Sequence, residues 1–199
     1  MGCGICGEAD HNKKTCPNRE QDVSGSSIPI QLDSAIIEKL TLLAILCKNV
    51  ARELGKGHTE KIYQEALSIE LQQQNIVHIM EQVIPIQYKG IQIGGNHSMR
   101  IDICLQTYLD FIYELKATST NIKASELWQI LRYLKTKKYN YGAVVNFNQS
   151  LPGKLEIQFV VKHDDEYYLF DLKNMNGVAL NDFVMEADID LSPCLIEDE

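Results

Sequence analysis

Residues Arg100–Ala117, RIDICLQTYLDFIYELKA, decide how this chain is read. Ile101, Ile103 and Leu105 alternate with Asp102 and Cys104, and the run from Leu109 to Ala117 is rich in strand-forming residues, so the stretch predicts a pair of adjacent strands. Asp102 then lies on one strand, and Glu114 and Lys116 lie on the next. Being two residues apart, Glu114 and Lys116 project from the same face, while Leu115 points to the other. Two carboxylates on neighbouring strands can hold a divalent ion, and an ammonium beside them can orient or activate a water. Taken alone, the pattern is weak, because a strand ending in Glu-Leu-Lys is commonly a solvated edge. Its neighbours give it weight.

Upstream, Ile36, Ile37, Leu40, Leu43, Ala44, Cys47, Val50, Ala51 and Leu54 recur at three- and four-residue steps from Asp33 or Ser34 to a stop at Gly55, which predicts an amphipathic helix. A second helix is expected from His58 or Thr59 to about Gln74. The period then changes to alternation. Val83–Tyr88 and Ile91–Ile93 flank the turn pair Lys89-Gly90 and suggest a hairpin. Downstream, a helix from Ala124 to about Lys138 places Leu127, Ile130, Leu131 and Leu134 on one face, and Tyr141–Phe147 (YGAVVNF) reads as a buried strand. A last hairpin is expected from Leu155–Val161 and Glu166–Leu172.

The chain has 199 residues, enough for one well-buried domain with short appendages. Hydrophobic residues make up 45% and charged residues 23%, which excludes wholesale disorder. No long uncharged apolar run and no signal-peptide core occur, so no membrane association and an intracellular setting, cytoplasmic or nuclear, are expected. The net charge of −8 is unevenly placed. Residues 178–199 carry seven acids and no Lys or Arg, whereas residues 31–177 are neutral. Within them Lys116, Lys123, Arg132, Lys135, Lys137 and Lys138 face a single acid, Glu126, in a stretch that could meet a phosphate backbone. The competing reading is a solvated helix face. Cys47 and Cys104 fall in apolar stretches and read as reduced core residues.

Cys3-x2-Cys6-x4-His11-x4-Cys16 supplies three thiolates and an imidazole, a complete tetrahedral zinc shell in a segment with almost no core of its own. The spacing resembles the retroviral-type zinc knuckle, with Gly7 after the second Cys. Gly4 stands where nucleic-acid-binding knuckles carry an aromatic, and Asp10 where they carry Gly, so the module could equally bind protein. Lys13, Lys14 and Arg19 could touch phosphates. A lipidation reading of Met1-Gly2-Cys3 is disfavoured because position 6 is Cys instead of Ser or Thr. The polar, Ser/Gly-containing Pro17–Pro29 stretch reads as a linker.

Gly57-x2-Glu60-x2-Tyr63, then Tyr88-Lys89-Gly90, Arg100-Ile101-Asp102, Glu114-Leu115-Lys116-Ala117 and Gln129-x3-Tyr133 follow in an order that resembles the GxxExxY proteins of the PD-(D/E)xK nuclease superfamily. The resemblance spans about residues 34–148. It implies an α/β, restriction-endonuclease-like αβββαβ core, a mixed sheet flanked by helices, here with a C-terminal β-hairpin and a small N-terminal zinc knuckle. It also implies that Asp102 and Glu114, with the Leu115 carbonyl, ligate Mg²⁺ or Mn²⁺ and that Lys116 positions the attacking water. Glu60 would correspond to the extra acid of RecB-like and lambda-exonuclease-like nucleases, reaching the metal or its water. Gln129 and Tyr133 match the QxxxY motif of that branch and would flank the site.

The expected organisation is a knuckle at 1–18, a linker at 19–33, a nuclease-like domain at 34–177 and an acidic tail at 178–199. The leading functional expectation is a metal-dependent nuclease acting on nucleic acid, DNA first. Lys13, Lys14, Lys123, Arg132, Lys135, Lys137 and Lys138 are its candidate nucleic-acid contacts, and the knuckle or the tail could hold a protein partner. The alternative is a non-catalytic nucleic-acid-binding or scaffold protein that retains the fold. Knuckles joined to such domains resemble proteins of large DNA viruses or mobile elements.

Overall fold

The computed structural model describes residues 30–93, 98–136, 139–150 and 154–180. The zinc-shell candidates Cys3, Cys6, His11 and Cys16 lie outside the described residues, as do Lys13, Lys14, Lys137 and Lys138.

Helix α1, Ser34–Leu54, starts where the Asp33 carboxylate accepts the Ala35 N–H at 2.7 Å, and its three- and four-residue apolar spacing buries Leu40, Leu43, Ala44, Cys47, Val50 and Ala51. Helix α2, Glu60–Gln73, buries Tyr63, Gln64, Leu67, Ser68 and Leu71. Strands β1 (His78–Pro85), β4 (Ser98–Leu105), β5 (Phe111–Lys116), β6 (Tyr141–Phe147), β7 (Leu155–His163), β8 (Glu166–Asp171) and β9 (Asn176–Ala179) form one sheet, in the order β1-β4-β5-β6-β7-β8-β9. Strands β2 (Gln87–Tyr88) and β3 (Ile91–Gln92) make a separate two-stranded ribbon, and helix α3 covers Ala124–Thr136.

The sheet is mixed and mostly antiparallel, and its one parallel pair is β5–β6, joined through α3. Alternation along β5 sorts its side chains between two cores. Phe111, Tyr113 and Leu115 pack toward α1 and α2, and Ile112 packs toward α3 with Val144, Leu127 and Ile130. Glu114 and Lys116 share the parity of Ile112, so they stand on the α3 side where the strand runs out of apolar partners. No helix among the described residues is long and apolar enough to cross a membrane.

Three expectations are revised. The strand expected to begin at Val83 begins at His78, and its main partner is β4, Val83 opposite Arg100, with the hairpin tip confined to β2–β3. Glu81, at φ 56, interrupts the ladder between the pairs Met80↔Ile103 and Gln82↔Ile101, which hides the alternation in the sequence. His78 also has a structural task, bonding Ser68 Oγ at 2.7 Å and the Ile76 carbonyl at 3.0 Å. At the C-terminal end the sheet gains β9 after the expected hairpin, and Leu180 is buried among the α3-side residues. At the other end Ile30, within the stretch read as linker, is buried in the α1–α2 core.

Candidate active site

The β4–β5 ladder holds the pairs Ile103↔Tyr113 and Cys104↔Ile112 and then stops, although β5 continues beside β6 to Lys116. Beyond the last pair, Asp102 Oδ2 accepts the Leu115 N–H at 2.6 Å. A side chain thus satisfies a backbone donor that a continuing ladder would have used, and the gap between the strands becomes polar. Both β1 and β4 change faces here. Met80 and Ile103 pack toward α1–α2, whereas Ile84 and Ile101 pack toward α3.

Glu114, 2% exposed, stands at this gap. Lys116 Nζ donates to Glu114 Oε1 at 2.5 Å and lies 4.0 Å from Glu60 Oε2 on the first turn of α2. Glu114 Oε2 is buried without a hydrogen-bond partner. Burial first, and then the charge of Asp102, push the Glu114 carboxyl up to about 8 against the pull of Lys116. Burial likewise raises Asp102 despite the Leu115 N–H and Lys116, and it raises Glu60, with Lys116 opposing and Asp102 adding. Burial alone would lower the Lys116 ammonium, but Glu114, Glu60 and Asp102 outweigh it and raise it, so it stays charged. Three carboxyls that resist ionising near one ammonium are short of positive charge.

That shortage fits a divalent cation. Among the described residues no three His, Cys, Asp or Glu side chains form a metal cluster by themselves. A small hard cation such as Mg²⁺ keeps several waters and takes one or two carboxylates, which Asp102 and the orphaned oxygen of Glu114 can supply.

The residues of Gly57-x2-Glu60-x2-Tyr63 hold α2 in place. Gly57, at φ 97, makes the turn between the helices and donates its N–H to Gln149 Oε1 at 2.6 Å. Tyr63 is fully buried, stacks on Phe147 with ring centroids 4.4 Å apart, and donates its hydroxyl to the Gly55 carbonyl at 2.8 Å. Gln149 Nε2 donates to Tyr63 Oη at 3.1 Å and to the Phe147 carbonyl. The end of β6 is thereby tied to the turn that aims Glu60.

On α3, Gln129 Nε2 donates to Tyr133 Oη at 2.9 Å, and the Tyr133 hydroxyl donates to the Arg100 carbonyl at 2.5 Å, pinning the helix to β4 two residues from Asp102. Gln129 and Tyr133 also line a cavity of about 360 Å³ together with Arg100 and Arg132. Lys123 and Lys135 are exposed, and the Lys135 ammonium lies 5.6 Å from the Tyr167 ring centroid.

Three participants were missed in the sequence. Gln64 is buried, donates to the Asp102 carbonyl at 2.8 Å and accepts from Lys61 at 3.0 Å. Its position one helical turn after Glu60 was the available signal. Gln149 carried no local signal for its work at the α2 turn, since Tyr63 and Gly57 lie 86 and 92 residues away. Glu81 binds Arg100 at 3.0 Å and lies 3.8 Å from Lys61. Burial pushes its carboxyl up, but bonds from Gln64 and Arg100 and the charge of Lys61 outweigh this and lower it.

A buried carboxylate clamped by an ammonium, a second carboxylate fixed by a backbone N–H, and a third opposite on a helix are suited to holding a cation and positioning a water at a polyanion. Among known proteins, the family described as the PD-(D/E)XK nuclease superfamily matches residues 38–159. No curated protein and no solved structure matches the chain.

Proposed function

Because this chain belongs to the PD-(D/E)XK nuclease superfamily, we propose that it is a metal-dependent nuclease that hydrolyses phosphodiester bonds of DNA. The observation that carries the reading is the buried Glu114 carboxylate, bonded on one oxygen by Lys116, orphaned on the other, and set beside Asp102. Asp102 and Glu114, with the Leu115 carbonyl, would hold Mg²⁺ or Mn²⁺, and Glu60 would bind the ion or its water. When bound, the ion would offset charge on the scissile phosphate and the leaving oxygen. Lys116 orients the attacking water in line with phosphorus and, because its neighbours keep it charged, also faces the developing negative charge. Gln129 and Tyr133 hold β4 and α3 together along the substrate side. Gln64 and Gln149 keep Asp102 and the α2 turn in place, so that the reacting groups are preorganised.

Membership of the GxxExxY group is supported by the work its three residues do here: Gly57 turns, Glu60 faces Lys116, and Tyr63 anchors. We assign one structural zinc to Cys3, Cys6, His11 and Cys16 from their spacing, with Lys13 and Lys14 available to phosphates. Metal analysis should find zinc in the full chain and none after removal of residues 1–18, with cleavage retained.

The test of the main reading is incubation with linear, circular and single-stranded DNA in Mg²⁺ or Mn²⁺, against chelator. Cleavage that needs the divalent ion and vanishes in Glu114→Gln is expected. Failure to cut any of the three, or cleavage undiminished in Glu114→Gln, overturns it.

A further inference from the structure

The cavity beside Tyr133 has a lining suited to an anion. Arg100 and Arg132 supply guanidiniums, Ser98 and Ser125 hydroxyls, and Gln129 an amide, and among the described residues no acidic side chain lines it. Tyr133, the sole aromatic among the described lining residues, is buried and has its hydroxyl bonded to Gln129 and to the Arg100 carbonyl, so it forms a wall with no exposed ring face on which a base could stack. That wall is shared with the carboxyl cluster. Burial raises the Tyr133 hydroxyl, Gln129 opposes, and the charges of Glu114 and Asp102 add to the rise.

One of these guanidiniums, that of Arg100, is held by a residue in an uncommon backbone state. Glu81, at φ 56, breaks the β1–β4 ladder opposite Asp102, and a break of this kind redirects a side chain. Its carboxylate holds the Arg100 guanidinium at 3.0 Å and lies 3.8 Å from Lys61. The Arg100 side chain is nonetheless 64% exposed, so its remaining donors are open to solvent.

We propose that this cavity is a phosphate-binding pocket for a single nucleic-acid strand beside the cleavage site, in which Arg100 and Arg132 take the anion and Glu81 competes with it for Arg100. The proposal rests on the nuclease reading for its choice of ligand. With guanidiniums and hydroxyls in its lining and no exposed aromatic face, the pocket reads backbone and ignores sequence. It positions the strand one side of the scissile bond, and Glu81 sets how tightly the strand is held.

The test is fluorescence anisotropy of a labelled oligothymidylate without added Mg²⁺ or Mn²⁺, where no cleavage is expected. Arg100→Gln and Arg132→Gln should each weaken binding about tenfold and reduce the slope of log affinity against log salt by about one, while Lys173→Gln on the far edge of the sheet leaves both unchanged. Glu81→Gln should tighten binding a few-fold, a gain that a folding defect cannot imitate. Unlabelled competitors with and without a 5′-phosphate separate the sources: preference for the phosphorylated strand assigns the pocket to a strand end, and equal competition assigns it to an internal phosphate. Arginine variants that bind like Lys173→Gln, or a Glu81→Gln variant that binds more weakly, overturn the proposal. Cleavage is scored separately. Binding effects as stated but no cleavage in Mg²⁺ or Mn²⁺ would keep the pocket and overturn the nuclease, and cleavage with unaffected binding would do the reverse.

Discussion

Strands β6 and β7 stay paired over seven positions, from Tyr141↔Val161 to Phe147↔Leu155, whereas β4 and β5 share two. In the long ladder backbone groups answer one another, and side chains such as Val145, Ile157 and Phe159 are left to fill the core. Where the short ladder ends, a carboxylate takes over a backbone partner, and the side chains beyond it meet polar company. The same sheet therefore buys rigidity in one strand pair and opens a reactive gap in the other.

Breaking the rigid side should cost the most. Phe159→Ala is expected to lose about 3–5 kcal/mol of stability in urea denaturation, since Phe159 is buried in contact with Phe111. Cleavage per folded molecule should persist at low temperature. Breaking the open side should do the opposite. Glu114→Ala or Lys116→Ala should cut turnover by about 100- to 1000-fold, with circular dichroism and the thermal midpoint little changed. A collapse of the fold in either variant would mean that the gap is structural after all.

Asp102 straddles both regions, and its two substitutions sharpen the contrast. Asp102→Asn keeps an acceptor for the Leu115 N–H and should lose activity alone. Asp102→Ala leaves that donor unpaired and should lose about 1–3 kcal/mol of stability as well. Equal urea midpoints for the two would show that the bond carries no stability.

The last effect expected is on pH. Glu114 has its folded carboxyl raised from the usual 4.5 to about 8, so between these values the folded chain holds a proton that the unfolded chain releases. Stability from this group is full below about 4.5 and is lost as pH rises through about 8. Urea midpoints of metal-free protein should therefore fall from pH 6 to pH 8, and Glu114→Gln should flatten that slope.

The rigid side was the more legible in sequence. Helix α1 and strand β6 fall where apolar spacing alone puts them, at Ser34–Leu54 and Tyr141–Phe147. At the gap, the two-residue step of Glu114 and Lys116 was readable because strand alternation fixes it. The face change at Asp102 and the left-handed Glu81 were not, since both arise from how two strands part, and no local pattern records that. Gln149 escaped for a related reason, since its bond to Gly57 crosses 92 residues of chain, whereas Gln64, bonded across 38 residues, was marked only by its place one helical turn after Glu60. Strand β9 was obscured because only Val178 and Ala179 lend it apolar character beside an acid-rich stretch.

The contact between Ile30 and Gly177 bears on where this domain can be gripped. A Cβ at Gly177 would lie 2.3 Å from Ile30 Cγ2, so glycine lets the Ile30 side chain pack against β9 and a larger residue would force it to shift. Ile30, ahead of α1, and β9 therefore meet at one margin of the sheet, four strands or roughly 20 Å from β5. A partner that grips this margin would touch the segment before α1 and the last described strand together while leaving the reactive gap uncovered. Gly177 acts as the clasp between the two segments, and a larger residue there would displace the Ile30 side chain.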